Sequence, residues 1–184
     1  MALPSLPPHL SYLLDQSIDT EFKNEVALID YVNIKKYLND PTVADPYKYT
    51  VDTKIVEWLD ENIITNMPST ITRIANGSNL APHIDRFRNY TLIYVHRSGG
   101  ENVEIKLFQE IGKPIVRDER GLHVNDRSRL SNLATVHVTP GSWYLLNAKI
   151  LHSVENLTSD RWLLQVDFLA NATVPDSILE KAIT

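Results

Sequence analysis

The residues best placed to do chemistry begin with His83-Ile84-Asp85, the chain's one His-x-Asp or His-x-Glu. On an extended segment residues i and i+2 face the same way, so an imidazole and a carboxylate could reach one ion together. A single such tripeptide is common by chance, and its meaning depends on what accompanies it. A facial two-histidine, one-carboxylate site needs a second histidine, distant in sequence and adjacent in space. His152 fits, because it lies in KILHSVEN just after an apolar strand-like run ending at Asn147. The chain contains no cysteine, which removes thiolate metal sites, iron–sulfur clusters, disulfides and cysteine nucleophiles. Any bound metal must therefore be held by histidine and carboxylate, a donor set suited to Fe(II) or Mn(II).

A second charged residue extends this pattern. Arg161 follows His152 across the turn ENLTSD, at the head of the run RWLLQVDF. A hairpin there would bring its guanidinium back beside the metal strand, where it could pair with a carboxylate. In 161–168, Trp162, Leu164, Val166 and Phe168 share one face, while Arg161, Leu163, Gln165 and Asp167 share the other. The second face reads either as the lining of a polar cavity or as a half-exposed strand surface.

These residues must be positioned by short strands. From Thr70 onward, strand-like runs fall at 70–75, 79–84, 89–96, 102–109, 133–138, 142–147, 149–154 and 161–168, separated by turn-forming residues. So many short strands with little room for helices between them predict a sandwich or jelly roll. Before them, DTKIVEWLDENII places Ile55, Val56, Leu59 and Ile63 at helical spacing, with Asp52 or Thr53 as N-cap. Residues 40–50 read as a loop, and Val32–Leu38 as a short helix or strand. The charged stretch 110–131 interrupts the strand series and reads as a lid or a surface excursion. The expected organisation is one domain: mixed α/β support over about 1–68, a jelly-roll core over about 69–170, and a tail or helix over 171–184.

At this level of detail the chain resembles a known family. TRIANGSNLAPHID followed by RNYTLIYV, and later PGSWYLLNAKILHSVENLTSDRWLLQVDF, resemble the 2-oxoglutarate/Fe(II)-dependent oxygenases, most closely the aspartyl/asparaginyl β-hydroxylase-like branch. The resemblance covers residues 72–168 and implies a mainly β chain with flanking helices, folded as a double-stranded β-helix (jelly roll). It makes His83, Asp85 and His152 the iron ligands and Arg161 the clamp on the far carboxylate of 2-oxoglutarate. It matches Thr72 to a hydroxyl that helps hold that carboxylate. It matches Tyr94 to a cosubstrate-contacting position that is histidine in the animal hydroxylases. Those animal enzymes lack a carboxylate ligand where this chain has Asp85, so the full triad is closer to the wider superfamily. The implied cofactors are Fe(II), 2-oxoglutarate and O2, and the implied products are succinate, CO2 and a hydroxylated substrate.

The remaining candidates keep two readings each. His96, His123 and His137 are alternative ligands, with His137 otherwise a barrel histidine and His123 a surface residue of the 110–131 stretch. Arg73, Arg86 and Arg88 flank the metal motif and could recognise an acidic substrate or simply form loop salt bridges. Asn147 could orient a ligand or shape a turn, and Trp143 and Trp162 are expected in the core. Net charge is −5 and charges are mixed in sign, which gives no basic field for nucleic acid. No apolar run has membrane-spanning length and no signal-like start is seen, so a cytoplasmic protein acting on a small-molecule or peptidyl substrate is expected. Two rivals to the oxygenase reading are a cupin-type metal enzyme without 2-oxoglutarate and a non-catalytic jelly-roll binding module.

Overall fold

The computed structural model describes residues 2–21, 47–49, 51–76, 80–85, 88–112, 124, 126–169 and 172–181. In chain order these form α1 (Pro8–Glu21), β1 (Tyr47–Tyr49), α2 (Thr53–Asn62), β2 (Ser69–Ile74), β3 (Leu80–His83) and β4 (Arg88–Arg97). There follow β5 (Glu104–Glu110), a 3-10 turn at Arg127–Arg129, β6 (Leu130–His137), β7 (Trp143–Asn147), β8 (Leu151–Glu155), β9 (Arg161–Leu169) and α3 (Asp176–Leu179). The strands make a five-stranded sheet, β1-β2-β9-β4-β7, and a four-stranded sheet, β3-β8-β5-β6. From β2 onward the chain crosses between the sheets at every step except β5 to β6. That alternation of antiparallel strands is the double-stranded β-helix, and it brings sequence-distant β3, β8 and β9 around one interior.

All eight expected strands are present. Two elements in the N-terminal part are differences from expectation. Tyr47–Tyr49, within the stretch read as a loop, forms β1 and pairs with Ile71–Arg73 of β2. A three-residue edge strand has no pattern of its own to read, and the open edge of β2 supplies its hydrogen bonds. Helix α1 was not expected either, although Leu10, Leu14 and Ile18 recur at four-residue spacing and Pro8 occupies the first helical position, which it tolerates. Fourteen residues make a marginal helix in isolation. Burying its three aliphatic side chains contributes about 1.5–3 kcal/mol each, so tertiary packing holds it. The predicted helix is α2, capped by Asp52, whose carboxylate accepts from the Lys54 amide at 2.9 Å. It ends at Asn62, before Met67. Val32–Leu38, Arg86 and His123 lie outside the described residues, as does most of 110–131.

The core has two layers. One face of the larger sheet, through Ile71, Leu92, Trp143, Leu145, Leu164 and Phe168 among others, packs against α1, α2 and α3. Its other face meets the smaller sheet through Ile74, Ile93, Val95, Tyr144 and Leu163 against Ile105 and Val154. Strand β9 is therefore buried on both sides. No described helix is long and apolar enough to cross a membrane.

Candidate metal and carboxylate site

Strands β3 and β8 pair antiparallel with His83 directly opposite His152. A register irregularity between Leu80 and His83 adjusts the approach of β3, as bulges beside functional sites commonly do. The two imidazoles lie 4.4 Å apart, centroid to centroid. Each uses its Nδ1 on the carbonyl two residues earlier: His83 on Ala81 at 2.8 Å and His152 on Ile150 at 2.9 Å. A carbonyl only accepts, so in neutral rings both Nδ1 atoms carry the proton and Nε2 is the lone-pair nitrogen of each, the form in which an imidazole ligates a metal.

Asp85 completes the group from just beyond the end of β3. Its amide donates to the Ala148 carbonyl at 2.8 Å, and its Oδ2 stands 3.9 Å from His152 Nε2. One ligand atom from each of His83, Asp85 and His152 lies within 4.8 Å of the others. Burial depresses the His152 pKa and keeps the ring in its neutral, ligating form, against the opposing pull of Asp85. Burial alone would raise the Asp85 pKa, but the charge and hydrogen bond of Arg88, with the two histidines, hold it below the usual value. Two neutral imidazoles and one carboxylate are the donor set for a borderline divalent ion.

Inside the barrel the parity of β9 is as anticipated: Arg161, Leu163, Gln165 and Asp167 face the interior, and Leu163 packs in the inter-sheet core. Arg161 is completely buried. No described residue accepts a hydrogen bond from its Nε, Nη1 or Nη2. Burial lowers its pKa to about 10, with Tyr144 acting in the opposite sense. Thr72 lies across from Leu163, is buried, and donates from Oγ1 to Gln165 Oε1 at 3.1 Å. Thr70, across from Gln165, buries an Oγ1 that likewise lacks a partner among the described residues.

Tyr94 is not brought to this interior. It pairs across strands with Trp143 and Leu164, both on the helix-covered face, and its ring lies 5.0 Å from Trp143. Its hydroxyl meets Ser11 and the Leu6 backbone. The neighbouring residue Ile93 occupies the inward position instead. Among the alternative histidines, His96 pairs with Asp15 of α1 at 2.9 Å, away from the triad. His137 is not a barrel histidine: its side chain is 74% exposed, 3.6 Å from Glu104 on the outer face of the smaller sheet. Arg73 also points away from the metal motif, pairing with Asp160 at 2.7 Å and lying over the Trp162 ring. Asn147 shapes a turn by accepting from the Lys149 amide at 3.0 Å. Trp143 and Trp162 are buried as expected, beneath the helices.

Sequence reasoning missed one arrangement. Arg88 donates from Nε to Asp85 Oδ2 and from Nη1 to Asp167 Oδ1, both at 2.7 Å. The nearness of Arg88 to the His-x-Asp was visible in the sequence. Its bond to Asp167 spans β4 and β9, and only strand pairing reveals it.

No family model and no curated protein matches the sequence. Solved structures do. A Pseudomonas putida prolyl-4-hydroxylase is 13% identical over 92% of this chain and 90% of its own, with a TM-score of 0.54. An oxalate oxidase in complex with the substrate analogue glycolate is 13% identical over 77% of this chain and 65% of its own, with a TM-score of 0.39. A cupin superfamily protein from Desulfitobacterium hafniense is 8% identical over 72% of this chain and 84% of its own, with a TM-score of 0.36. At such identities the first of these speaks to the fold alone. The chain has the jelly-roll fold of that prolyl-4-hydroxylase, and it carries within it a His-Asp-His group able to hold a metal ion.

Proposed function

We propose that the protein is a non-haem Fe(II), 2-oxoglutarate-dependent oxygenase that hydroxylates an unactivated C–H bond of a small molecule, an amino acid or a peptidyl side chain. One observation carries this reading beyond a metal site: the buried Arg161 guanidinium with all three nitrogens lacking partners among the described residues. Burying a cation without an anion costs several kcal/mol. Such a residue is retained where a ligand supplies the anion, and a carboxylate matches the guanidinium fork. A dicarboxylate held at one end by Arg161 and at the other by a metal answers both demands.

The residues fit these groups. His83 Nε2, His152 Nε2 and the Asp85 carboxylate would hold the iron, leaving other coordination positions to exogenous ligands. Arg161 would hold the distal carboxylate of 2-oxoglutarate, and Thr72 is a second candidate to help hold it, its Oγ1 engaged with Gln165. When bound, iron, 2-oxoglutarate and O2 supply oxidative decarboxylation, which yields succinate and CO2 and leaves one oxygen atom for the substrate. The protein's part is positional. The carbonyls of Ala81 and Ile150 fix both ring orientations, Arg88 favours the ionised form of the Asp85 carboxylate, and complete burial keeps water from Arg161. The motif order favours the aspartyl/asparaginyl β-hydroxylase-like branch, while the Asp85 ligand leaves the substrate class open.

Anaerobic addition of Fe(II) and 2-oxoglutarate tests the proposal. A weak metal-to-ligand charge-transfer band is expected in the wild-type protein and is lost in Arg161→Ala. Iron retention without any response to 2-oxoglutarate would point instead to a cupin-type metal enzyme. Failure to retain iron at all would leave the triad incidental.

A further inference from the structure

A five-residue hydrogen-bonded chain runs through the barrel to one of the proposed metal ligands. Thr72 Oγ1 of β2 donates to Gln165 Oε1 of β9 at 3.1 Å, and Gln165 Nε2 donates to Asp167 Oδ1 at 2.7 Å. Asp167 Oδ1 also accepts from Thr91 Oγ1 of β4 at 3.0 Å and from Arg88 Nη1 at 2.7 Å. The guanidinium then ends on Asp85 Oδ2 through Nε at 2.7 Å. The side chains of Arg88, Asp85 and Asp167 are only 20%, 16% and 16% exposed, so solvent screens the arrangement weakly.

Asp85 needs such support because of where it sits. It lies beyond the last residue of β3, with its backbone held by the Ala148 carbonyl and by Lys149 Nζ on its own carbonyl. Neither bond fixes the carboxylate. The histidines differ, since each ring is locked by a carbonyl of its own strand segment. We infer that Arg88, anchored by Asp167, is the positioning residue that holds the Asp85 carboxylate toward the metal. It does so through the geometry of its two-pronged donor and not through its charge. This rests on the proposed metal-binding role of the triad.

Charge and geometry separate in the variants, which makes the inference testable. Arg88 repels a metal cation while its charge also favours the ionised, ligating form of Asp85, so the charge-conserving Arg88→Lys isolates geometry. If positioning dominates, Arg88→Gln loosens Asp85 and weakens binding despite the lost repulsion. Arg88→Lys keeps the charge but cannot bridge two carboxylates as a planar fork does. Asp167→Asn keeps the shape of the anchor and weakens it.

The experiment is anaerobic titration of the full chain with Co(II), without 2-oxoglutarate, read by calorimetry and by the visible ligand-field spectrum. Thermal unfolding of the metal-free variants serves as the folding control. Arg88→Lys and Arg88→Gln should each lose roughly ten- to hundredfold in Co(II) affinity and change the spectrum. Asp167→Asn should move in the same direction. Wild-type affinity and spectrum in Arg88→Lys, or tighter binding in Arg88→Gln, would overturn the inference while leaving the metal site standing. Absence of Co(II) binding in the wild type would overturn the metal-site reading together with this one.

Discussion

Replacing Arg161 with methionine separates what this residue costs the protein from what it does for a ligand. Burial lowers its pKa to about 10, and the distance from arginine's ordinary value corresponds to about 3 kcal/mol. The sign follows from the direction. A cation whose pKa falls on folding destabilises the folded state at every pH below about 10. That penalty is relieved only as the pH rises from there toward the unfolded value. At neutral pH it is fully present. Methionine is unbranched and fills much of the same space, so repacking should cost about 1 kcal/mol. The ligand-free variant should therefore be more stable than the wild type by about 2 kcal/mol, or about 4–8 °C in Tm for a chain of this size.

Ligand reverses the order. On the proposed function, with Mn(II) standing in for iron, 2-oxoglutarate at a hundredfold excess over its Kd should stabilise the wild type by about 2.7 kcal/mol. Losing the buried carboxylate partner removes about 2–5 kcal/mol of binding, enough to abolish that rise in Arg161→Met. The assay is anaerobic thermal unfolding followed by circular dichroism, with metal alone and with metal plus 2-oxoglutarate. A ligand-free variant less stable than the wild type would refute the argument, because Arg161 would then be a structural residue. An undiminished 2-oxoglutarate response in the variant would refute it equally.

Other outcomes follow from the same geometry. His152→Ala should abolish stoichiometric Fe(II) retention, measured by metal analysis after anaerobic desalting, while leaving the far-UV circular dichroism of the sheets unchanged. Gly99 has φ +89°, and a Cβ there would come within 2.6 Å of Leu157 Cδ2 and 2.9 Å of Arg161 Cβ. Gly99→Ala should therefore destabilise the fold by more than about 1 kcal/mol and weaken 2-oxoglutarate binding by displacing Arg161, both measurable in one thermal titration. Burial tends to raise the Asp15 pKa, but hydrogen bonds and charges from His96 and Arg97 outweigh it and lower the value. The stability that Asp15 confers should be present above the ordinary carboxylate pKa and lost as the pH falls through the lowered one, so the gap to Asp15→Asn in urea midpoints closes in strong acid. Leu14→Ala, at a completely buried position on α1, should cost about 2–5 kcal/mol in the same denaturation assay.

Several features were legible because they depend on neighbours along the chain. The alternation in RWLLQVDF separates Arg161, Leu163, Gln165 and Asp167 from Trp162, Leu164, Val166 and Phe168, and the sheet respects that separation. The Asp52 cap and the spacing of Ile55 and Leu59 placed α2. The Tyr94 expectation failed on a question of face. In β4, Ile93 and Val95 are as apolar as Leu92 and Tyr94, so the pattern has no polar side to mark the outside. Tyr94 looks outward because α1 covers that face, and its hydroxyl is met there by Ser11 and Leu6. His137 was misjudged for the related reason that no helix among the described residues covers the outer face of the smaller sheet, where Glu104, Lys106 and Glu155 also lie.

The sequence by itself determined which metal-binding residue types are present, eight of the nine described strands, the two faces of β9 and the arginine at the head of that strand. These are properties of residue identity and a two-residue period, and they survive any arrangement of the strands. Only the tertiary structure decided which face of each strand is interior, that His83 stands opposite His152, and that Arg88 ties Asp85 to Asp167. These depend on β3 pairing with β8 and on β9 lying beside β4. Contacts between residues 79 positions apart leave no periodic trace in the chain, since pairing and layering create them after the local pattern has been spent.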